Sequence, residues 1–200
     1  MSLIRLAKCG MLINAQHKKY SLLDVGCRTM ALKTHLKGCT YYLGTDLMPS
    51  KGVRKCDLNS GLKGFRDNSF DVVVVLDVLE HLDDPFFVLS ECIRVAKKTV
   101  YVSLPNMFYI QFRINLLFGK GISGKYNFPT HQINDRHKWF LSYEEANSFI
   151  KSNTHKLSYK VFPLIPQRGR LKYIIEPIHR FLAKFFPNLL VYAALYEIKK

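Results

Sequence analysis

No stretch of this 200-residue chain approaches the ~20 consecutive apolar residues that cross a bilayer. The opening MSLIRLAKCGMLINAQHKKY is interrupted by Arg5 and Lys8 before an apolar signal core can form. It reads as a short amphipathic helix rather than a secretory signal. The five cysteines, Cys9, Cys27, Cys39, Cys56 and Cys92, make no CxxC pair and keep no regular spacing. That argues against a zinc site and suits a reducing, cytoplasmic setting with the thiols as small core residues. Internal repeats, linkers and low-complexity tracts are also missing, so residues 1–200 are expected to form a single domain. Acidic residues are scarce: 15 Asp and Glu stand against 30 Lys and Arg, for a net charge of +15. The shortage is uneven. Residues 1–96 hold 13 basic and 10 acidic residues, whereas residues 97–200 hold 17 and 5. A basic half attracts phosphate, whether on nucleic acid, a phosphorylated glycan or an anionic membrane surface, unless it is simply a solvated face.

What is present is a globular composition, 48% hydrophobic and 22% charged, in a regular pattern. YSLLDV (20–25), TYYLGTDL (40–47), VRKCDL (53–58), FDVVVVLDV (70–78) and KTVYVSLP (98–105) read as strands. TMALKTHLKG (29–38) fits a helix capped by Gly38, and Pro85 opens another that runs to about Ala96. Strand–helix alternation of this kind predicts an α/β fold with a doubly wound parallel sheet. After Pro105 the pattern breaks into an insert, 106–140, rich in aromatic and basic residues and long enough for a lid or binding element. Order returns with a capping box, Ser142 and Glu145, at the head of a helix over 142–153. A strand over 156–165, a helical stretch over 171–186 that Pro177 should kink or split, and a strand over 188–200 complete the chain.

In a parallel sheet, ligands bind beyond the carboxyl ends of the strands. Asp24, Asp46 and Asp57 fall at the ends of the first three strands, and Asp77, Glu80 and His81 follow the fourth. Crowded carboxylates repel unless a cation or a hydroxyl-rich group sits among them. The first turn opens like a nucleotide-binding loop, LLDVG, but the GxGxxG fingerprint is absent: Arg28 occupies the second glycine position. An acidic rim without that fingerprint does not suit a pyrophosphate cofactor.

Taken in order, LLDVGC, YLGTDL, KCDLN, FDVVVVLDVLEHLDDP and VYVSLPN resemble the class I S-adenosylmethionine-dependent methyltransferases, most closely a small type with an EHL-x-D-P segment. DRHKWFLSYEEANSFI (135–150) is a looser match to the same family. The resemblance implies a three-layer Rossmann-like sheet of seven strands, mostly parallel with an antiparallel last strand, and S-adenosyl-L-methionine as cofactor. By the same resemblance Asp24 orients the methionine end and Gly26 lets the backbone approach. Cys27 and Arg28 continue that loop, where Arg28 either clashes with the methionine carboxylate or pairs with it. Asp46 takes both ribose hydroxyls, Asp57 accepts from the adenine amino group, and Leu47 and Leu58 sandwich the ring. Leu76 and Asp77 close the site at the end of the fourth strand.

Methyl transfer to a hydroxyl needs a base, and neutral imidazole is a competent one, so His81 and His137 are the catalytic candidates, ahead of His131. In some related methyltransferases an acid-x-x-Glu-His segment such as Asp77-x-x-Glu80-His81 binds a divalent metal; here no metal is the primary expectation, with a divalent ion as the lesser reading. The Asn/Asp-Pro-Pro-aromatic segment of many base methyltransferases is absent after the fourth strand. The expected activity is methyl transfer, of the EC 2.1.1 type, to oxygen on a small-molecule, glycan or lipid-linked acceptor, with Trp139 and Phe140 either lining its pocket or packing as core. Two alternatives stand beside it: an RNA-directed methyltransferase, and a catalytically silent binding protein with an altered glycine loop. Segments 107–120 and 171–186 mix large apolar residues with Lys and Arg, with Ile174, Ile178, Phe181, Leu182 and Phe185 on one side of the second. Such helices cover an acceptor pocket, lie on an anionic membrane, or pack as ordinary core. The expected location is cytoplasmic, with peripheral contact to a membrane as an option.

Overall fold

The computed structural model describes residues 2–48, 50–122, 125, 126, 128, 136–154, 156–166 and 172–200, with the side chains of 2, 3 and 172–176 left aside. Its centre is a seven-stranded sheet in the order β3-β2-β1-β4-β5-β7-β6. The strands are β1 (Tyr20–Val25), β2 (Cys39–Asp46), β3 (Val53–Lys55), β4 (Phe70–Leu76), β5 (Ala96–Pro105), β6 (Ser158–Leu164) and β7 (Ala193–Lys199). The first five are parallel, and β7 runs antiparallel to both of its neighbours, β5 and β6. The seven-stranded, mostly parallel Rossmann-like sheet with an antiparallel last strand is therefore what the chain forms.

β4 explains the layering. Val72, Val73, Val74 and Val75 are all fully buried, as in a strand covered on both faces. Because side chains alternate, Val72 and Val74 join Cys9 and Ile13 of helix α1 (Ser2–Gln16) on one face. Val73 and Val75 meet Val88 and Leu89 of α2 (Pro85–Val95), together with Ala146 and Ile150 of α4 (Tyr143–Asn153), on the other. Each such aliphatic side chain contributes roughly 1.5–3 kcal/mol by leaving water. The helix starts are chemically specified. Asp84 caps α2 by accepting from the Phe87 amide at 2.9 Å, ahead of Pro85. The Ser142–Glu145 capping box of α4 closes in both directions, at 3.2 and 2.7 Å.

Three expectations need correction. The helix over 29–38 is only a one-turn 3-10 segment, Ala31–His35, because Met30 enters it in the left-handed region and Leu36 leaves it extended. Gly38 is left-handed too, and a Cβ there would run into the Lys18 carbonyl, so it serves a turn rather than a helix cap. Pro177 does not split its helix: α5 runs Lys172–Leu182 through it, and the break comes afterwards. Residues 188–190 belong to a short helix, α6 (Pro187–Leu190), so the last strand starts at Ala193. The insert 106–140 carries one helix among its described residues, α3 (Ile110–Leu117).

Candidate functional site

Strand order reverses between β1 and β4, and sheets of this kind bind ligands beyond the carboxyl edge at such a reversal. The parallel register brings Asp24, Asp46, Asp57 and Asp77 to that edge. The loop after β1 holds the turn. Gly26, Arg28 and Met30 all adopt left-handed backbone, with φ of 69°, 52° and 55°. Two of the three are not glycine, so the altered loop keeps a glycine-like path with side chains that resist it. Its fixings are visible: the Cys27 amide donates to the Thr45 carbonyl at 3.0 Å, and the Arg28 amide donates to Asp46 Oδ2 at 2.9 Å. The other Asp46 oxygen accepts from the Met48 amide at 3.0 Å. At Gly26 a Cβ would strike the buried Val78 side chain, so the glycine is required by the loop after β4 packing against it. Cys27 and Met30 lie over Gly44 of β2, where a Cβ would come within 2.6 Å of the Cys27 sulfur.

The four acids differ in environment. Asp24 is 4% exposed, and Tyr42 donates its hydroxyl to Asp24 Oδ2. Burial pushes the Asp24 carboxyl up to about 7, against the Tyr42 hydrogen bond, and the charge of Asp46 adds to the rise. Asp57 is exposed and caps the turn 58–60 by accepting from the Asn59 amide at 3.0 Å. Leu47 is exposed, whereas Leu58 is packed in the core with Leu62 and Leu79. Leu76 ends β4 half-buried. Asp77 has left-handed backbone, accepts from Ser103 Oγ at 2.6 Å and pairs with Arg5 of α1. Burial raises its carboxyl, with Arg5 the main opposing influence.

Beside Asp77 the structure assembles a second group. His81 and His137, 56 positions apart, meet edge to face with ring centres 4.5 Å apart. Glu80 is 2% exposed, and neither of its carboxylate oxygens has a hydrogen-bond partner among the described residues. The His137 Nε2 lies 3.9 Å from Glu80 Oε1. Burial raises the Glu80 carboxyl well above its usual range and the charge of Asp77 adds to that, while Arg5 and Lys125 pull it back. The histidine tautomers follow from their partners. A carbonyl only accepts, so the Arg136 carbonyl 2.8 Å from His81 Nδ1 places the proton there. Tyr126 spends its hydroxyl proton on the Trp139 carbonyl at 2.5 Å, so its oxygen accepts from His137 Nδ1 at 3.1 Å. When neutral, both rings carry their lone pair on Nε2. One ligand atom from each of Glu80, His81 and His137 fits within a 4.8 Å group, the dimension of a metal site.

Segment 136–140 is locked onto the loop after β4. The amides of Lys138 and Trp139 donate to the Glu80 carbonyl at 2.8 and 3.2 Å, and Trp139 Nε1 donates to the Leu82 carbonyl at 2.8 Å. Lys138 also pairs with Asp83 at 2.6 Å. Phe140 packs on Phe108 and Tyr126. The sequence reading had missed Arg5, Tyr42, Ser103 and Tyr126. Of these only Ser103 carried a local signal, its place at the end of the fifth strand. His131 and Ile174 lie outside the residues whose side chains are described.

Comparison with solved structures finds the same fold repeatedly. An S-adenosylmethionine-dependent methyltransferase from Archaeoglobus fulgidus superposes with a TM-score of 0.61 at 16% identity, over 100% of this chain and 95% of that one. The methyltransferase domain of a bacterial Hen1 gives 0.59 at 17% identity, over 100% and 99%. The small RNA methyltransferase HEN1 gives 0.66 at 15% identity, where this chain spans 25% of that protein. A search of curated proteins returned no match. The chain thus has the class I methyltransferase fold. The profile of the family described as methionine biosynthesis protein MetW matches residues 11–198, nearly the whole length, and the protein belongs to that family.

Proposed function

We propose that this protein is an S-adenosylmethionine-dependent methyltransferase that acts on an oxygen of a small-molecule, glycan or lipid-linked acceptor. The observation that carries the reading is the rim itself: four carboxylates converge on the strand-order reversal, around a loop held left-handed at three positions. The donor set suits this cofactor, which carries a sulfonium and an ammonium, supplies an electrophilic methyl group, and has no phosphate for acids to repel. Each Asp46 oxygen accepts one backbone amide, and a carboxylate has about four acceptor positions, so acceptors remain for two ribose hydroxyls. Asp57 keeps an oxygen for the adenine amino group in the same way. Asp24 and Asp77 offer negative charge to the methionine end. Arg28 stands exposed where a guanidinium reaches the methionine carboxylate.

His81 and His137 sit beside Asp77 with lone pairs on Nε2, ready to take the acceptor's hydroxyl proton as its oxygen attacks. Glu80, His81 and His137 together would alternatively hold a divalent cation, which lowers the acceptor hydroxyl's pKa. The buried Glu80 carboxyl, without a hydrogen-bond partner among the described residues, favours that option more than the sequence did. Segment 136–140, fastened to the loop after β4, forms the wall of the acceptor site and gives 106–140 its role as a lid.

Calorimetry with S-adenosylhomocysteine tests the reading on wild type and Asp46→Ala, with melting curves to show that both are folded. Wild type should bind, and the variant should lose about ten- to a hundredfold in affinity, the worth of one or two charge-assisted hydrogen bonds. Equal binding by both proteins would remove the ribose assignment. No binding by either would leave the silent binding protein as the function. A second reading, RNA as acceptor, is supported by the basic half of the chain and by the fold shared with one protein named as a small RNA methyltransferase.

A further inference from the structure

α3 buries none of its residues fully, and Ile114, Leu116, Leu117 and Phe118 stand exposed at its end, Leu117 by 81%. The second half of α5 and the turn after it do the same with Ile178, Phe181, Leu182, Phe185 and Phe186, with Phe185 63% exposed. Both elements are moored at one place. Tyr192 packs against Tyr109 and Phe112 at the head of α3, and Asn106 donates from Nδ2 to the carbonyls of Asn188 and Val191, at 2.9 and 2.6 Å. His179 Nε2 ties α5 to the Leu190 carbonyl at 2.9 Å. From there a run of ring contacts, Phe108 to Phe140 to Tyr126 to His137, leads straight to the candidate catalytic pair. The place where both elements are moored is therefore joined by packed rings to the candidate site.

Its charge decides what covers it. Segment 106–140 carries five Lys or Arg and one acid, and 171–191 carries three and one. Lys120 and Lys184 are exposed among the apolar side chains. A second copy of the same face would bring positive charge onto positive charge. Single-stranded nucleic acid would answer the charge and find four phenylalanines to stack on, but the other five exposed side chains are leucine or isoleucine, which offer its bases no stacking surface. An anionic bilayer answers both: acyl chains take the leucines and phenylalanines, and headgroups take the lysines. No described helix is long and apolar enough to span the membrane, which fits helices lying in its surface.

We infer that α3 and the α5–α6 region dock this protein on an anionic lipid surface, with the methyl-transfer rim facing the bilayer. The docking stands without the methyltransferase reading; only its corollary, that the acceptor is lipid-borne, rests on that reading. Flotation with vesicles of phosphatidylcholine, alone or mixed with the anionic lipid phosphatidylglycerol, is run without cofactor so that the two fail separately. Wild type should float with the anionic vesicles at low salt and stay down with the neutral ones. Leu117→Glu with Phe185→Glu should abolish flotation, and Lys120→Glu with Lys184→Glu should weaken it by about tenfold or more. Both variants should keep the wild-type melting temperature and S-adenosylhomocysteine affinity, since neither pair touches the rim or the core. Flotation that survives both variants would overturn the inference, as would failure of wild type to float at low salt. Two findings would move the patch to another partner and equally overturn it: a wild-type dimer that Leu117→Glu with Phe185→Glu dissolves, or single-stranded RNA binding that the same variant abolishes while vesicles never bind.

Discussion

Asp24 is an acid that folding makes weaker, so that it gives up its proton only near neutral pH. Its carboxyl lies near 7 in the folded chain because burial disfavours the charge, whereas an unfolded aspartate titrates near ~3.9. Between those values the folded state binds the extra proton. Stability from this group is therefore fully present below about 4, falls as pH rises through the window, and levels off above about 7. Asp24→Asn removes the slope and keeps an acceptor for the Tyr42 hydroxyl. Its melting temperature should exceed that of wild type at pH 8, and the gap should close by pH 4–5. The same substitution should weaken S-adenosylhomocysteine binding at pH 8, where the wild-type carboxylate meets the ligand's ammonium. A variant less stable than wild type at pH 8 would mean that Asp24 is an ordinary structural carboxylate. Arg28 teaches a related lesson about side chains. Read as letters, Gly26-Cys27-Arg28-Thr29-Met30 departs from a glycine loop; read as φ angles, it does not. Backbone conformation at a turn is set by what the turn is bonded to, here Thr45 and Asp46, and a residue name reports only how willingly it complies.

Two elements far apart in the chain, the loop after β4 and the segment 136–140, become one through the Glu80 carbonyl, which accepts from both Lys138 and Trp139. The sequence supplied each half: Glu80 and His81 by their place after a buried strand, His137 by its chemistry. Their union was not legible, because it depends on the path of the insert, where no periodicity constrains the chain. The carboxylates at the strand ends were legible for the opposite reason, since strand–helix alternation returns every parallel strand to the same edge. The short 3-10 segment 31–35 has the letters of a full helix, and they do not reveal the left-handed Met30 at its entrance. The joined elements carry their own test. Mn²⁺ should raise the melting temperature of wild type, EDTA should reverse the rise, and Glu80→Gln should be insensitive to both. If Mn²⁺, Mg²⁺ and Zn²⁺ all leave wild type unmoved, the histidines work as direct bases and the buried carboxylate merely orients them. Two imidazoles and one carboxylate lean toward a transition metal rather than Ca²⁺.

For the molecule as a whole, linkage tests the grip of the loop after β1 on a cofactor without an acceptor in hand. A ligand that binds only the folded chain adds RT ln(1 + [L]/Kd) to its stability, about 2.7 kcal/mol at a hundred times Kd. A chain of 200 residues shifts its midpoint by roughly 2–4 °C per kcal/mol. S-adenosylhomocysteine at that excess should therefore raise the melting temperature of wild type by about 5–10 °C. The rise should be small for Asp46→Ala at the same concentration, because lower affinity enters the same logarithm. The control is as informative as the test: under the proposed assignment adenosine alone would engage Asp46 and Asp57 but leave Asp24, Asp77 and Arg28 without the methionine part. It should give a smaller shift than the full nucleoside. Equal shifts would show that the loop after β1 no longer grips the methionine end, so that the fold keeps an adenosine site while the chemistry next to Glu80 and the two histidines has lost its methyl donor.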